Sequence, residues 1–165
     1  PERNVGMAEF CSDHATGIGL RGFAFGTVLV PGVLELCNNA VVLGAAFGHM
    51  ARPDVSEGRN FFEFVTAHGP FELAAIVLSA GAGLRLGVGW LKTNGLTRSA
   101  SIRKTAVETM PLMGLAMALF FLAALVEGFF SPLALPFVAK MAMGIFSFGL
   151  LIVYFIVLGF PRRAH

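Results

Sequence analysis

The residues best placed for chemistry are two ionisable side chains at the head of a long apolar stretch. His68 and Glu72 lie four residues apart in the run HGPFELAAIVLSAGAGLRLG, which stays apolar and small until Arg85. Side chains with this spacing share one face of a helix. Ionisable groups so close to hydrocarbon are costly and usually face protein or water, so the pair indicates a site.

Two further ionisable residues are expected at the depth of this pair. Glu127 falls near the end of a later apolar helix, and His49 falls near the end of an earlier one. Two imidazoles and two carboxylates at one level could bind zinc, or they could pass protons. The sequence contains no HExxH motif, and the spacing of His68 and Glu72 is a weak metal signal. We therefore predict no metal, with these four residues as weak candidates.

A purely structural role would also explain the pair. With Gly69 as N-cap and Pro70 at the first helical position, Glu72 falls at the third position of a helix. There its carboxylate could satisfy backbone N–H groups and the positive end of the helix. His68 would then form a hydrogen bond nearby. Both interpretations stay open.

Other charged residues are expected to form ion pairs within the membrane. Glu127 and Lys140 flank a tight turn between adjacent antiparallel helices, and an ion pair would keep both near lipid. Arg21 falls in the middle of an apolar helix and must face protein or water. It could pair with Glu35 or Glu72. No complete set of catalytic residues is found, so no catalytic residue is predicted.

The composition indicates that lipid surrounds most of the chain. Of the 165 residues, 56% are hydrophobic and 13% are charged, and the mean hydropathy is +0.75. Soluble domains average about 25% charged residues. At about 20 residues per spanning helix, the length allows about five spans. The net charge of +2, without a basic run interleaved with aromatics, excludes nucleic acid as a partner.

The predicted fold class is all-α, a polytopic transmembrane bundle of about five helices within one domain, residues 14–161. Pro31-Gly32 interrupts the first apolar region, so the first two helices are short or form a broken hairpin. Pro111 is expected in the first turn of the fourth helix. Ser131 is expected as the N-cap of the fifth helix, followed by Pro132. The predicted helices are 15–30, 33–50, 69–90, 109–128 and 132–160.

The flanking segments are polar, and their charges predict an orientation. Residues 1–13 form a polar N-terminal segment, and residues 162–165 form a basic tail. Since the chain lacks an initiator Met, we expect it to begin within a longer product. The loop 92–108 is also basic, and an even number of spans separates it from the tail. Both are therefore expected in the cytoplasm, which places His68 and the 127–132 turn on the outer side.

Glycines recur four residues apart in several helices. In lipid this spacing allows helix backbones to approach closely. It predicts either packing within one bundle or dimerisation through one such face, and both stay open. The three glycine pairs are Gly22 and Gly26, Gly44 and Gly48, and Gly83 and Gly87.

Two signatures resemble those of the stage II sporulation protein M family. The run FVTAHGPFELAAIVLSAGAGLRLG is similar to that family's His-Gly-x-x-Glu-Leu motif and the small-residue helix that follows it. The segment ALVEGFFSP, residues 124–132, resembles its second signature, an acidic residue before an aromatic pair and Ser/Thr-Pro. The resemblance covers residues 15–160. His68, Glu72 and Glu127 transfer only as motif positions, because the resemblance supplies no catalytic residues.

The resemblance implies a multi-pass protein of the bacterial cytoplasmic membrane. In spore-formers it implies a membrane complex that drives peptidoglycan remodelling during engulfment. We therefore expect a non-enzymatic subunit that scaffolds or anchors a cell-envelope complex. It would contact membrane lipids and other membrane subunits, with homo-oligomers as a further option, and no cofactor is expected.

Two other functions are consistent with the residues. A permease-type or ion- or proton-conducting subunit working with an ATPase partner would use the charged residues within the membrane and the broken first hairpin. An intramembrane metalloenzyme would rest only on the grouping of His49, His68, Glu72 and Glu127.

Overall fold

The computed structural model describes residues 17–131, 133 and 135–159, and every regular element within those ranges is helical. Four helices are long and apolar enough to cross a membrane, so the predicted all-α transmembrane architecture is confirmed. The predicted polar segment 1–13 and basic tail 162–165 lie outside the described residues. The elements are α1 (17–26), α2 (Leu29–Met50), α3 (Gly58–Leu91), α4 (Arg98–Leu125), a π-helical turn (Val126–Phe130) and α5 (Phe137–Gly159).

The first hairpin is broken between α1 and α2, at residues 27–28. The break comes before Pro31 because a proline fits in the first turn of a helix, where its missing N–H has no intrahelical partner. Gly32 makes the corner possible. A Cβ on Gly32 would lie 2.6 Å from the Cα of Gly26 and 2.9 Å from the Phe25 carbonyl oxygen.

Helix α3 begins at Gly58, well before the predicted start at residue 69, and contains Pro70 in its interior. Its 34 residues extend about 51 Å at 1.5 Å per residue, which exceeds a hydrocarbon core of about 30 Å. Proline removes the hydrogen bond to the carbonyl four residues earlier, which here belongs to Thr66. The backbone of α5 packs directly on that carbonyl, because a Cβ on Gly144 would collide with the Thr66 oxygen.

Helix α4 also begins earlier than predicted, at Arg98 instead of residue 109. Thr97 caps it, because its side chain accepts a hydrogen bond from the Ala100 N–H at 3.3 Å. Pro111 therefore lies inside the helix and not in its first turn. Helix α5 begins later than predicted, at Phe137. Consequently Ser131 is not its N-cap.

Helix α3 is the centre of the bundle and contacts α2, α4, α5 and the π-helical turn. The turn that joins α3 to α4 places Asn94 and Gly95 at positive φ, 49° and 84°, which these two residue types tolerate best. The two helices are therefore antiparallel neighbours. The buried core residues are Phe71, Ala75, Ile76, Leu119, Phe120, Ala123 and Leu151.

Helix α1 packs on the second half of α3 through glycines. A Cβ on Gly26 would lie 2.6 Å from the carbonyl carbon of Gly83, and one on Gly22 would lie 3.4 Å from the Ala80 Cβ. Gly87 lies against the corner that follows α1, because a Cβ there would be 3.0 Å from the Thr27 carbonyl oxygen. Four of the six predicted packing glycines thus serve contacts within the chain. Gly44 and Gly48 make no such contact with any described residue, since none lies within 4 Å of a Cβ on either.

Candidate functional site

Five polar side chains meet at the end of the bundle away from the 92–97 loop, and we call them the polar cluster. They come from α3, the π-helical turn, the residue after that turn, and α5. His68 precedes the end of α3 by 23 residues, or about 35 Å of helix. This distance is similar to the thickness of a bilayer core. The polar cluster therefore lies near one face of the bilayer if the 92–97 loop lies at the other face. The members are His68, Glu72, Glu127, Ser131 and Lys140.

Burial in the polar cluster is nearly complete. His68, Glu127 and Ser131 are each 2% exposed, and Lys140 is 8% exposed. The Glu72 side chain is 20% exposed. Groups as polar as these are buried only where partners or a function compensate for lost hydration. Glu72 is therefore the one member with substantial contact to the surroundings.

The His68 imidazole lies between two partners. Its Nε2 is 3.7 Å from Oε2 of Glu72 on the next turn of α3, and its Nδ1 is 3.4 Å from Oγ of Ser131. Phe64 packs against the ring edge-on, with ring centroids 5.3 Å apart. The interpretation of Glu72 as a helix cap is wrong, because α3 starts about four turns before it.

The π-helical turn Val126–Phe130 brings the second carboxylate to this place. Its wide hydrogen bond runs from the Ser131 N–H to the Val126 carbonyl oxygen at 2.9 Å. Such turns inside α-helices occur frequently at functional sites. The turn contacts α3, and Glu127 is its buried residue. Oε1 of Glu127 is buried and has no hydrogen-bond partner among the described residues.

Lys140 closes the polar cluster from the side of α5. Its Nζ donates a hydrogen bond to the Ser131 carbonyl oxygen at 2.9 Å. The predicted ion pair with Glu127 is wrong, since no described carboxylate oxygen lies within 4.0 Å of the ammonium. The turn before α5 is longer than predicted, and Lys140 reaches back to a carbonyl at the end of the preceding helix. Cations are favourable at that position.

Arg21 and His49 lie outside the polar cluster. Arg21 is exposed on α1, and among the described residues it forms no ion pair, so the predicted pairing with Glu35 or Glu72 is wrong. His49 is exposed at the end of α2. Its neighbour Met50 contacts the start of α3, because a Cβ on Gly58 would collide with the Met50 backbone. His49 therefore lies level with the start of α3. That start is ten residues, or about 15 Å of helix, from His68.

The polar cluster holds an imidazole between a carboxylate and a hydroxyl. In the part of the chain that the structure describes, no three His, Cys, Asp or Glu side chains are grouped to hold a metal ion. Ser131, His68 and Glu72 have the composition of a nucleophile, a base and an orienting acid. Their separations are 3.4 Å and 3.7 Å, longer than the reach of about 3.2 Å typical of such a set, which is often looser when no substrate is bound. Ser131 is also too buried for a substrate to reach.

Sequence reasoning missed Ser131 as a member of the polar cluster. Its position four residues after Glu127 could have indicated it. If the helix continues to residue 130, this spacing places the Glu127 and Ser131 side chains on one helical face. Treating Ser131-Pro132 as the start of the next helix hid that relation. A second missed contact lies at the other end of the bundle, where Arg85 pairs with Glu108 at 2.9 Å.

A separate cleft of about 560 Å³ lies between α3 and α5. Its walls are almost entirely apolar and run from Phe62 to Val77 on α3 and from Phe148 to Phe155 on α5, with Phe47 of α2 at one end. It contains no ionisable side chain. The buried ionisable side chains therefore lie in the polar cluster and not in this cleft.

Comparison with known families supplies one finding. The family model described as "Stage II sporulation protein M" matches residues 3–132. This range includes α1 to α4, the π-helical turn and four of the five residues of the polar cluster. No curated protein and no solved structure matches the chain.

Proposed function

This chain belongs to the stage II sporulation protein M family, and we propose that it is a non-enzymatic membrane subunit that scaffolds or anchors a bacterial cell-envelope complex. The observation that carries the proposal is the exposure of α2. The described residues bury only 6% of its apolar segment, against 44% for α3. A spanning helix so little covered by the described residues offers a face to another membrane subunit.

The outward face of α2 has the pattern of a helix-packing seam. Its residues are spaced alternately four and three apart, the spacing that lets two helices pack along their length. All of them are exposed. Glycine in a helix costs about 1 kcal/mol relative to alanine, yet Gly44 and Gly48 make no close contact with the part of the chain that the structure describes. The seam consists of Val30, Leu34, Cys37, Val41, Gly44 and Gly48.

Two exposed polar side chains support a protein partner over lipid. Asn38 is exposed on α2, nine residues or about 14 Å from the start of that helix, which is near the middle of a bilayer. Arg21 is exposed on the neighbouring α1. Polar groups at such depth face protein or water. A partner subunit that covers this side of the bundle would supply both with polar contacts.

The location proposed is the bacterial cytoplasmic membrane, with the 92–108 region and the C-terminus in the cytoplasm. Lys92, Arg98, Arg103 and Lys104 cluster at that end of the α3–α4 hairpin, as the positive-inside rule requires. Arg98 also stacks over Trp90, 5.2 Å from the ring centroid, an aromatic suited to the interface. The polar cluster then lies at the outer boundary.

The proposal is tested by purification in mild detergent followed by identification of stoichiometric partners. Gly44→Ile should abolish retention of the partner, because the new side chain blocks the seam. Gly114→Ile is the matched control, since Gly114 is exposed on α4 with nothing within 4 Å of a Cβ. Equal partner retention by both variants, or a wild-type protein that retains no partner, would refute the proposal.

A second candidate function, an ion- or proton-conducting subunit with an ATPase partner, is favoured by the buried and partly unpaired polar cluster. Its test is flux into proteoliposomes that contain the wild-type protein or Glu72→Gln. A flux that is lost in the variant supports conduction, whereas equal rates with and without the protein exclude it.

A further inference from the structure

We propose that the apolar cleft between α3 and α5 holds one acyl chain of a zwitterionic phospholipid, whose headgroup lies at the rim formed by residues 51–63. The starting observation is the chemistry of the walls. Thr66 is the one polar residue among the described residues that line the cleft, and its hydroxyl donates a hydrogen bond to the Phe62 carbonyl oxygen at 2.6 Å. Since an apolar cavity without free polar groups stays dry, the cleft suits a hydrocarbon occupant.

The length of the cleft matches one leaflet of a bilayer. Its wall on α3 runs from Phe62 to Val77, which is about 22 Å of helix, and half of a bilayer with its headgroups is about 20–22 Å thick. From Leu91, where α3 ends, Val77 lies about 21 Å away and Phe62 about 44 Å away. With the 92–97 loop at one surface, the cleft therefore extends from the midplane to the opposite headgroup layer.

The width of the cleft admits a single hydrocarbon chain and excludes a helix. Divided by the length of about 22 Å, the volume of about 560 Å³ gives a mean cross-section of about 25 Å². A chain one methylene wide needs roughly 20 Å², because non-bonded carbon atoms approach to about 3.5–4.0 Å. An α-helix with its side chains is about 10–12 Å across, or roughly 80–110 Å². The occupant is therefore a lipid chain and not a segment of a partner protein.

The cleft opens sideways to the membrane. Leu73 and Val77 line it and are 44% and 66% exposed, so a chain can enter from the surrounding lipid without passing through water. At the headgroup end, Phe47 of α2 packs edge-on against Phe62, with ring centroids 5.8 Å apart. These rings form the wall of the cleft on the side of α2.

The charges of the rim favour a headgroup that carries an ammonium beside its phosphate. Arg59 lies one turn before Phe62, on the same face of α3. Its Nε pairs with Glu63 at 2.9 Å, which leaves the Nη groups free to donate to a phosphate, while the Glu63 carboxylate can attract the ammonium. Two arginines and three carboxylates give the rim one negative charge in excess, which disfavours an anionic headgroup. These residues are Arg52, Asp54, Glu57, Arg59 and Glu63.

The test is native mass spectrometry of the protein released from nanodiscs of equimolar dioleoyl phosphatidylethanolamine and dioleoyl phosphatidylglycerol. After a detergent wash, the wild-type protein should keep one lipid per chain, mainly phosphatidylethanolamine. Leu73→Trp should lower this occupancy by roughly tenfold or more, the effect of about two methylene groups that are no longer buried. Leu122→Trp is the matched control and should keep the lipid, since Leu122 is 40% exposed on α4 and lies outside the cleft.

Two further measurements test the chain and the headgroup separately. Lysophosphatidylethanolamine with one oleoyl chain should displace the bound lipid, because the cleft accommodates a single chain. Glu63→Gln should lower the retained ratio of phosphatidylethanolamine to phosphatidylglycerol by roughly two- to fivefold, the contribution of one exposed charge interaction. Glu108→Gln should leave the ratio unchanged, since Glu108 pairs with Arg85 at the opposite end of the bundle.

Several results would overturn the proposal. A wild-type protein that keeps no lipid after the wash, or equal retention by Leu73→Trp and Leu122→Trp, would overturn the cleft as the site. An unchanged ratio in Glu63→Gln would overturn the choice of headgroup. If circular dichroism shows that Leu73→Trp does not fold, Val77→Trp replaces it, with the same expected loss. The scaffold proposal is unaffected by any of these results, because neither position lies on the seam of α2.

Discussion

Gly144→Ala should destabilise the bundle, because this glycine lets α5 lie directly on the carbonyl that Pro70 leaves without its helical hydrogen bond. A Cβ on Gly144 would collide with the Thr66 oxygen and lie 3.3 Å from the Thr66 carbonyl carbon. These are backbone atoms of a central helix and cannot rotate away. Helix α5 must therefore move off α3, which also disturbs Lys140, one turn earlier on α5.

The magnitude follows from a matched comparison on the same helix. Gly149→Ala adds the same methyl group to α5, at an exposed position with nothing within 4 Å of a Cβ. Any gain in helix propensity is common to both variants, so their difference isolates the collision. Overpacking of this kind costs about 1–3 kcal/mol. A difference of about 2 kcal/mol changes the unfolding equilibrium by roughly 30-fold.

The assay is reversible unfolding in mixed micelles, with the free energy of unfolding measured for wild type, Gly144→Ala and Gly149→Ala. We expect Gly149→Ala at or above wild-type stability and Gly144→Ala below it. Equal stability of the two variants would refute the reasoning that the freed Thr66 carbonyl is covered by the α5 backbone.

Three further predictions use the same unfolding assay. Gly26→Ala should lower the free energy of unfolding by about 1–3 kcal/mol, because its Cβ would lie 2.6 Å from the Gly83 backbone. Gly22→Ala makes an ordinary 3.4 Å contact and should be neutral. Equal effects of the two variants would contradict the close approach of α1 to α3. Lys140→Met should cost about 1–3 kcal/mol, since it leaves the Ser131 carbonyl oxygen without its donor, and a neutral result would show that the bond does not form. Ser101→Ala should lower the free energy of unfolding by about 1 kcal/mol, because it removes the buried 2.6 Å hydrogen bond to the Gly89 carbonyl oxygen. Ser99 is exposed, so Ser99→Ala should change the stability little. A larger loss of stability in Ser99→Ala than in Ser101→Ala would count against this contact.

The sequence predicts the class of fold well because composition alone identifies lipid as the solvent. Helix boundaries are harder to predict because proline is ambiguous. The sequence pattern predicts Pro70 and Pro111 near helix starts, yet both lie inside helices. At Pro70, the freed carbonyl is covered by tertiary packing on Gly144, which no local pattern reveals. Membrane helices tolerate interior proline for this kind of reason.

The polar cluster could be predicted only in part, because its membership also depends on where helices begin and end. His68 and Glu72 share a face by spacing alone, and the antiparallel topology brings Glu127 to their depth. The expected place of His49 depended on where α3 starts, and the expected partner of Lys140 depended on the length of the turn before α5. Each of these depends on a helix end that tertiary contacts determine. The exposed seam on α2 could not be distinguished from a packing face in the sequence, because both use small residues four apart.

The central claim, that a protein partner covers the outward face of α2, is tested most directly by photocrosslinking in the native membrane. A photoreactive amino acid placed at Val41, which is 69% exposed on that face, should yield a covalent adduct with a protein. The same group at Val153, 61% exposed on α5, is the control and should yield adducts with lipid. Lipid adducts alone from Val41 would contradict the account.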